Sequence, residues 1–187
     1  MRRAVYRDKA LVVDILSKAF DKNVSVNFIV KQDSKRNVRI RFLMEYAFEI
    51  CFYQGVIYLS LDEKGCVLCT LPERRGGLWR SMVSELKLLF KVIGVNRLFH
   101  VLVRNHIVKS NSLAKSSLHI WFIGVIPEAQ SKGVGSELLS ELGNMHSGPL
   151  YLETSMEENL IFYIKNGFEV YNQIHKPHTI FFIRKSA

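Results

Sequence analysis

The stretch IGVIPEAQSKGVGS, residues 123–136, decides how this chain is read. An apolar run ends at Pro127, a polar loop carries Gln130, Gly133 and Gly135, and helix-forming residues follow, the pattern of a strand feeding a helix. Glycine lets the backbone adopt conformations closed to other residues and brings amides close to a ligand. The first N–H groups of a helix have no partner within it, and its dipole is positive at that end, so such a loop suits a phosphate or pyrophosphate. Lys132 adds a formal positive charge. The same pattern also serves as an ordinary β–α connection. It is not a Walker loop, and it lacks the third glycine of the dinucleotide fingerprint because position 138 is leucine.

Outward from this stretch, Leu118 to Ile126 reads as a strand, Val134 to Met145 as a helix, Leu150 to Glu153 as a strand and Glu158 to Lys165 as a short helix. Phe168 to Ile174 and Thr179 to Ile183 then flank a turn at 175–177 and read as a terminal hairpin. Nearer the start, Leu11, Val12, Ile15, Leu16, Ala19 and Phe20 recur at helical spacing, and a turn at 21–23 precedes a second helix from about Val38 to Tyr53. Arg41, Glu45 and Glu49, four apart, form one charged stripe on that helix. Residues 56–61 and 66–71 flank a turn containing Gly65 and predict a β-hairpin. The apolar residues from Trp79 to Ile93 fall on one helical face, Gly94 can end that helix, and Val95 to Val103 predicts another. With Arg97, His100, Arg104 and Lys109 outside, the pair forms a basic helical hairpin, followed by a polar loop over 109–117.

Composition sets the class. The 187 residues are 48% hydrophobic and 23% charged with mean hydropathy +0.07, values that fit a folded soluble domain and exclude a fibrous or disordered chain. No repeat or long linker divides it, so one domain over 1–187 is expected, with N-terminal helices, hairpin and helical insert over 1–117 and a ligand-binding core over 118–187. The Lys and Arg excess of 26 over 17 acidic residues gives a net charge of +9 and favours an anionic partner. Cys51, Cys66 and Cys69 are too few for a disulfide framework, which points to a cytoplasmic location with reduced thiols. The basic N-terminus lacks a following apolar run, so no secretory signal is expected, and Glu45, Glu49 and Gln54 interrupt the most apolar window, so no membrane span is expected.

Residues 118–139, LHIWFIGVIPEAQSKGVGSELL, resemble the acetyl-coenzyme A binding motif of the GNAT superfamily of N-acetyltransferases, whose pattern is Gln/Arg-x-x-Gly-x-Gly/Ala after a strand containing Gly-Val. Gln130, Gly133 and Gly135 match it directly. LYLETS at 150–155, Asn159 and FYIKNGF at 162–168 resemble the family's following strand, helix and Tyr-x-x-x-Gly-Phe ending. The resemblance implies an α+β fold with a mixed, mostly antiparallel sheet flanked by helices and a V-shaped splay between strands 4 and 5, where acetyl-CoA lodges. It further implies that Ile123 and Val125 meet the pantetheine arm through the main chain. Gln130, Ser131, Lys132, Gly133, Val134, Gly135 and Ser136 would hold the pyrophosphate, and Asn159 and Tyr163 would lie near the thioester. Similar proteins move the acetyl group directly to a primary amine, with no covalent enzyme intermediate.

That chemistry asks for a neutral amine, a polarised thioester carbonyl and a proton for the departing thiolate. By the resemblance, Tyr163 is the general acid, and the Val125 amide can polarise the carbonyl. For the base the candidates are Glu153, His119 and the pair Glu45 and Glu49; no spacing selects among them. Glu153 equally suits a paired structural carboxylate, and His119, alternating with Trp121 and Ile123, a hydrogen-bonded strand histidine. No metal site is expected at His175 and His178, which flank a turn without further ligands, nor at Cys66 and Cys69, which point to opposite faces of a strand. No nucleic-acid recognition module is evident, nor do aromatics interleave with the basic residues. The expected function is N-acetyl transfer from acetyl-CoA to a small-molecule amine by a monomer or homodimer, with no nucleic-acid or membrane partner. The alternative is a non-catalytic acyl-CoA-binding sensor.

Overall fold

The computed structural model describes residues 1–71, 117–175 and 178–186; the helices expected over 79–103 and the polar loop at 109–116 lie outside these described residues. In chain order the elements are β1 (Arg2–Arg3), α1 (Lys9–Ala19), α2 (Val24–Ile29), α3 (Arg36–Gln54), β2 (Gly55–Leu59), β3 (Gly65–Thr70), β4 (Leu118–Val125), α4 (Val134–Met145), β5 (Leu150–Thr154), α5 (Glu157–Lys165), β6 (Glu169–Ile174) and β7 (Ile180–Lys185). The strands form one sheet in the order β1-β2-β3-β4-β5-β7-β6, antiparallel throughout except for the parallel pair β4–β5. The expected α+β class with a mixed, mostly antiparallel sheet is what the chain adopts.

Two cores lie on the two faces of the sheet. On one, Val12, Ile15 and Leu16 of α1 and Met44, Ala47 and Phe48 of α3 pack with Ile57, Leu59, Cys66 and Leu68. On the other, Leu138, Leu139 and Leu142 of α4 pack with Val67, Cys69, Leu150, Leu152 and Ile183. Alternation along β3 therefore sends Cys66 and Cys69 to opposite faces, as their spacing predicts. Burial raises the pKa of all three thiols, so they are packing residues held protonated.

The turn between the first two long helices contains an element the sequence reading passed over. Asn23 accepts a hydrogen bond from the Val26 amide at 3.0 Å and so caps α2, a helix of six residues. The passage from α3 straight into β2 depends on Gly55, because a Cβ there would lie 1.9 Å from the Cys69 carbonyl oxygen. At the start of α3, Asp33 accepts the Lys35 amide at 3.0 Å and is clasped by Arg39 through Nε at 3.1 Å and Nη2 at 2.8 Å. The Arg39 hydrogen bonds lead in holding the Asp33 carboxyl at about 2, below its ordinary 3.8. A depressed pKa contributes stability above the unfolded value that is lost as pH falls through the folded value. Wild-type protein is therefore expected to lose stability from about pH 4 toward pH 2 more steeply than Asp33→Asn, and superimposable acid-unfolding curves would contradict this.

Strand β4 is irregular near its middle. Leu68 pairs with Phe122 and Cys69 with Ile120, which leaves Trp121 as the extra residue of a β-bulge. The bulge reverses the alternation. Leu118 and Ile120 face α4, but beyond Trp121 it is Ile123 and Val125 that do so, while Phe122 joins the core beneath α1. His119 and Ile123, placed together by simple alternation, thus lie on opposite faces. A bulge bends its strand, and β4 pairs with β5 only at Leu118↔Leu150 and His119↔Tyr151 before the two part. This is the splay expected between the fourth and fifth strands.

Candidate active site

A cavity of about 190 Å³ occupies the gap where β4 and β5 separate. Leu152, Glu153 and Thr154 of β5 and Ile123 of β4 line it, as do Asn159 and Tyr163 of α5. Asn159 and Tyr163, four apart on one helix, share the face that meets the splay. Tyr163 is buried, its ring edge-on to Phe162 and Phe168 at centroid distances of 5.1 and 5.8 Å. Burial pushes its phenol well above the ordinary tyrosine value, so the hydroxyl keeps its proton at neutral pH.

Glu153 is held from behind. Its Oε2 lies 2.9 Å from Nε2 of His119, and Nδ1 of that ring lies 3.0 Å from the Thr70 hydroxyl. The imidazole stacks on Tyr151 at 4.7 Å, so its orientation is fixed by two hydrogen bonds and a ring contact. The cavity is lined by Glu153 but not by His119, which makes the carboxylate the member of this pair nearest any ligand. The stripe on α3 does not reach the cavity either. Glu49 receives hydrogen bonds from Lys9 at 2.6 Å and Tyr6 at 2.9 Å, and Glu45 lies 3.8 Å from Arg41. Leu43 and Tyr46, on a different side of α3, form that helix's part of the wall. Asn23 and Ser25 of the α2 region and Phe20 and Trp121 complete the wall opposite Tyr163, and sequence reading named none of them as site residues. Only Asn23 carried a local signal, as a helix cap; the others depend on packing between distant segments.

The loop before α4 has the shape of an anion cradle. Ser131 and Gly133 have φ of 60° and 89°, left-handed conformations of the kind used in backbone turns that bind anions. Residues 130–133 are exposed, and a Cβ built on Gly133 meets nothing within 4 Å, so the space above it is open. Gly135 also serves packing between α4 and α5, because a Cβ there would sit 3.1 Å from Cζ of Phe162. Val134 is buried and offers only its main chain, and Gln130 donates from Nε2 to the Val125 carbonyl at 3.0 Å, tying the loop to the end of β4. Among the described residues no cluster of three or more metal-ligating side chains occurs, and no helix is long and apolar enough to cross a membrane.

Residues 91–170 match the family model of the acetyltransferase (GNAT) domain. No curated protein sequence matches the chain significantly. Solved structures share the fold. A histone acetyltransferase HPA2 and related acetyltransferase from Corynebacterium glutamicum superposes with a TM-score of 0.67 at 17% identity, covering 100% of this chain and 95% of the other. An N-acetyltransferase from Staphylococcus aureus gives 0.61 at 14% identity, covering 98% of each chain. The PaiA N-acetyltransferase from Thermoplasma acidophilum, determined in complex with coenzyme A, gives 0.58 at 12% identity, covering 100% of this chain and 97% of the other. The motif-bearing segment thus matches the acetyltransferase (GNAT) domain model, and across its whole length the chain is similar in fold to solved acetyltransferases.

Proposed function

We propose that the protein is an acetyl-CoA-dependent N-acetyltransferase that moves the acetyl group directly to a primary amine of a small-molecule acceptor, acting as one domain over residues 1–187 in the cytoplasm. The observation that carries this reading is the cavity in the β4–β5 gap, which is lined by Glu153, Asn159 and Tyr163, together with the left-handed turn that joins the end of β4 to α4. The open space above Gly133, the left-handed turn at Ser131 and the positive end of α4 fit a pyrophosphate, and coenzyme A in the Thermoplasma structure supports the same ligand here. Gln130 to Ser136 would hold that group, Lys132 adding its charge, and the β4 edge at Ile123 and Val125 would take the pantetheine arm.

Bound acetyl-CoA supplies an activated acyl group, whose transfer forms an amide C–N bond and releases the thiol of coenzyme A. Tyr163 holds a proton at Oη and delivers it to the departing sulfur; the burial that makes the phenol a weak acid also penalises a bare thiolate in the same place, so the transfer is not uphill by the difference in water. Glu153 sits where it can attract an incoming ammonium and take its proton, and His119 orients that carboxylate through the bond at 2.9 Å. The test is calorimetric titration with acetyl-CoA, followed by a free-thiol release assay against a panel of amines. Binding with amine-dependent release is expected. Binding without release from any amine would favour the sensor reading, and absence of binding would overturn the assignment of residues 130–136.

A further inference from the structure

We propose that the acceptor is a monocationic amine attached to a single aromatic or apolar ring, bound with its ammonium at Glu153 and its ring on a wall of four aromatic side chains. This deepens the transferase reading and rests on it. The wall is continuous. Tyr46 meets Trp121 edge-on at 6.0 Å, Trp121 meets Phe122 at 5.3 Å, and Phe122 meets Phe20 edge-on at 5.0 Å, all four lining the cavity. Trp121 and Phe122 are consecutive in a strand and would ordinarily point to opposite faces; the bulge at Trp121 is what lets both border one space.

Charge narrows the class further. Among the described residues lining the cavity, Glu153 is the one charged side chain; the other polar groups are the neutral Asn23, Ser25, Thr154, Ser155, Asn159 and the tyrosines. A single carboxylate matches one ammonium. A polyamine would bring further positive charges against described lining residues that, Glu153 apart, are uncharged and largely apolar or aromatic, and would approach a protein of net charge +9 against the overall field.

Size suits a small ring. A dry apolar cavity of about 150 Å³ accommodates benzene, so about 190 Å³ has room for one ring with a short arm. A peptide lysine would bury its four-methylene stem but leave the aromatic wall without a ring to stack on.

The test uses the full chain saturated with coenzyme A and titrated calorimetrically with 2-phenylethylamine, spermidine and a lysine-containing tripeptide, with acetyl-CoA thiol release measured in parallel. Phenylethylamine is expected to bind at least tenfold more tightly than the other two, and Glu153→Gln to weaken it about tenfold by removing the countercharge. The wild-type panel decides the matter even if the variant folds poorly. Equal or tighter binding of spermidine or the peptide, or no binding by any of the three, overturns the proposed class. Thiol release with spermidine or peptide alone overturns the class while leaving the transferase standing. Phenylethylamine bound with the expected preference but releasing no thiol supports the cavity's selectivity and overturns the transferase.

Discussion

Tyr163→Phe is expected to lower kcat for amine-dependent thiol release by about 10²–10⁴-fold, the range for losing one positioned proton donor, while changing coenzyme A affinity by less than about twofold. The substitution removes one oxygen and keeps the ring. The edge-on contacts with Phe162 and Phe168 are made by ring atoms, so α5 should stay in place, and the melting temperature should move little. Loss in kcat with unchanged affinity is the signature of an interaction made only in the transition state. The pH profile separates this role from packing. Because burial raises the phenol's pKa, Tyr163 stays protonated between about pH 6 and 9, and its loss should lower the whole profile without moving either limb. A variant with wild-type kcat would remove Tyr163 from the mechanism.

The residues proposed to hold the coenzyme could be named from the chain because each is fixed locally. Gln130, Gly133 and the start of α4 form one continuous strand–loop–helix segment, and Asn159 and Tyr163 stand one helical turn apart, so linear spacing already encodes their geometry. The opposite wall is assembled from α1, α2, α3 and a bulge, and no spacing rule connects Phe20, Tyr46 and Trp121. The bulge was illegible for a specific reason. It exists only in the register of β3 against β4, with Leu68 on Phe122 and Cys69 on Ile120, and β4 by itself alternates without interruption. Hence His119 and Ile123 were placed on one face. The charged stripe of α3 was equally visible but misleading, since Glu49 is taken up by Lys9 and Tyr6 from the chain's start. Burial along α3 then turns Leu43 and Tyr46, rather than the carboxylates, toward the cavity.

Gly133→Asp should weaken coenzyme A binding about 100-fold or more, and the geometry of the loop makes the reason separable from damage to the fold. Gly133 has φ of 89°, so any side chain there carries a backbone strain of about 1–2 kcal/mol. Against that, aspartate is among the residues that tolerate the left-handed region best, and a Cβ at this position touches nothing within 4 Å, so neither a clash nor loss of α4 is expected. What remains is charge. A carboxylate about 5 Å from a pyrophosphate, at an effective dielectric near 20, opposes binding by about 3 kcal/mol, equivalent to about two orders of magnitude in affinity. Gly133→Ala carries the same backbone strain without the charge and should bind coenzyme A within about fivefold of wild type. The difference between the two variants, measured by calorimetry on preparations of matched melting temperature, isolates the electrostatic part. It should shrink as ionic strength rises, because exposed charges are screened. If aspartate and alanine bind alike, the anion does not lie over this turn, and the phosphate-binding role of residues 130–136 falls with it.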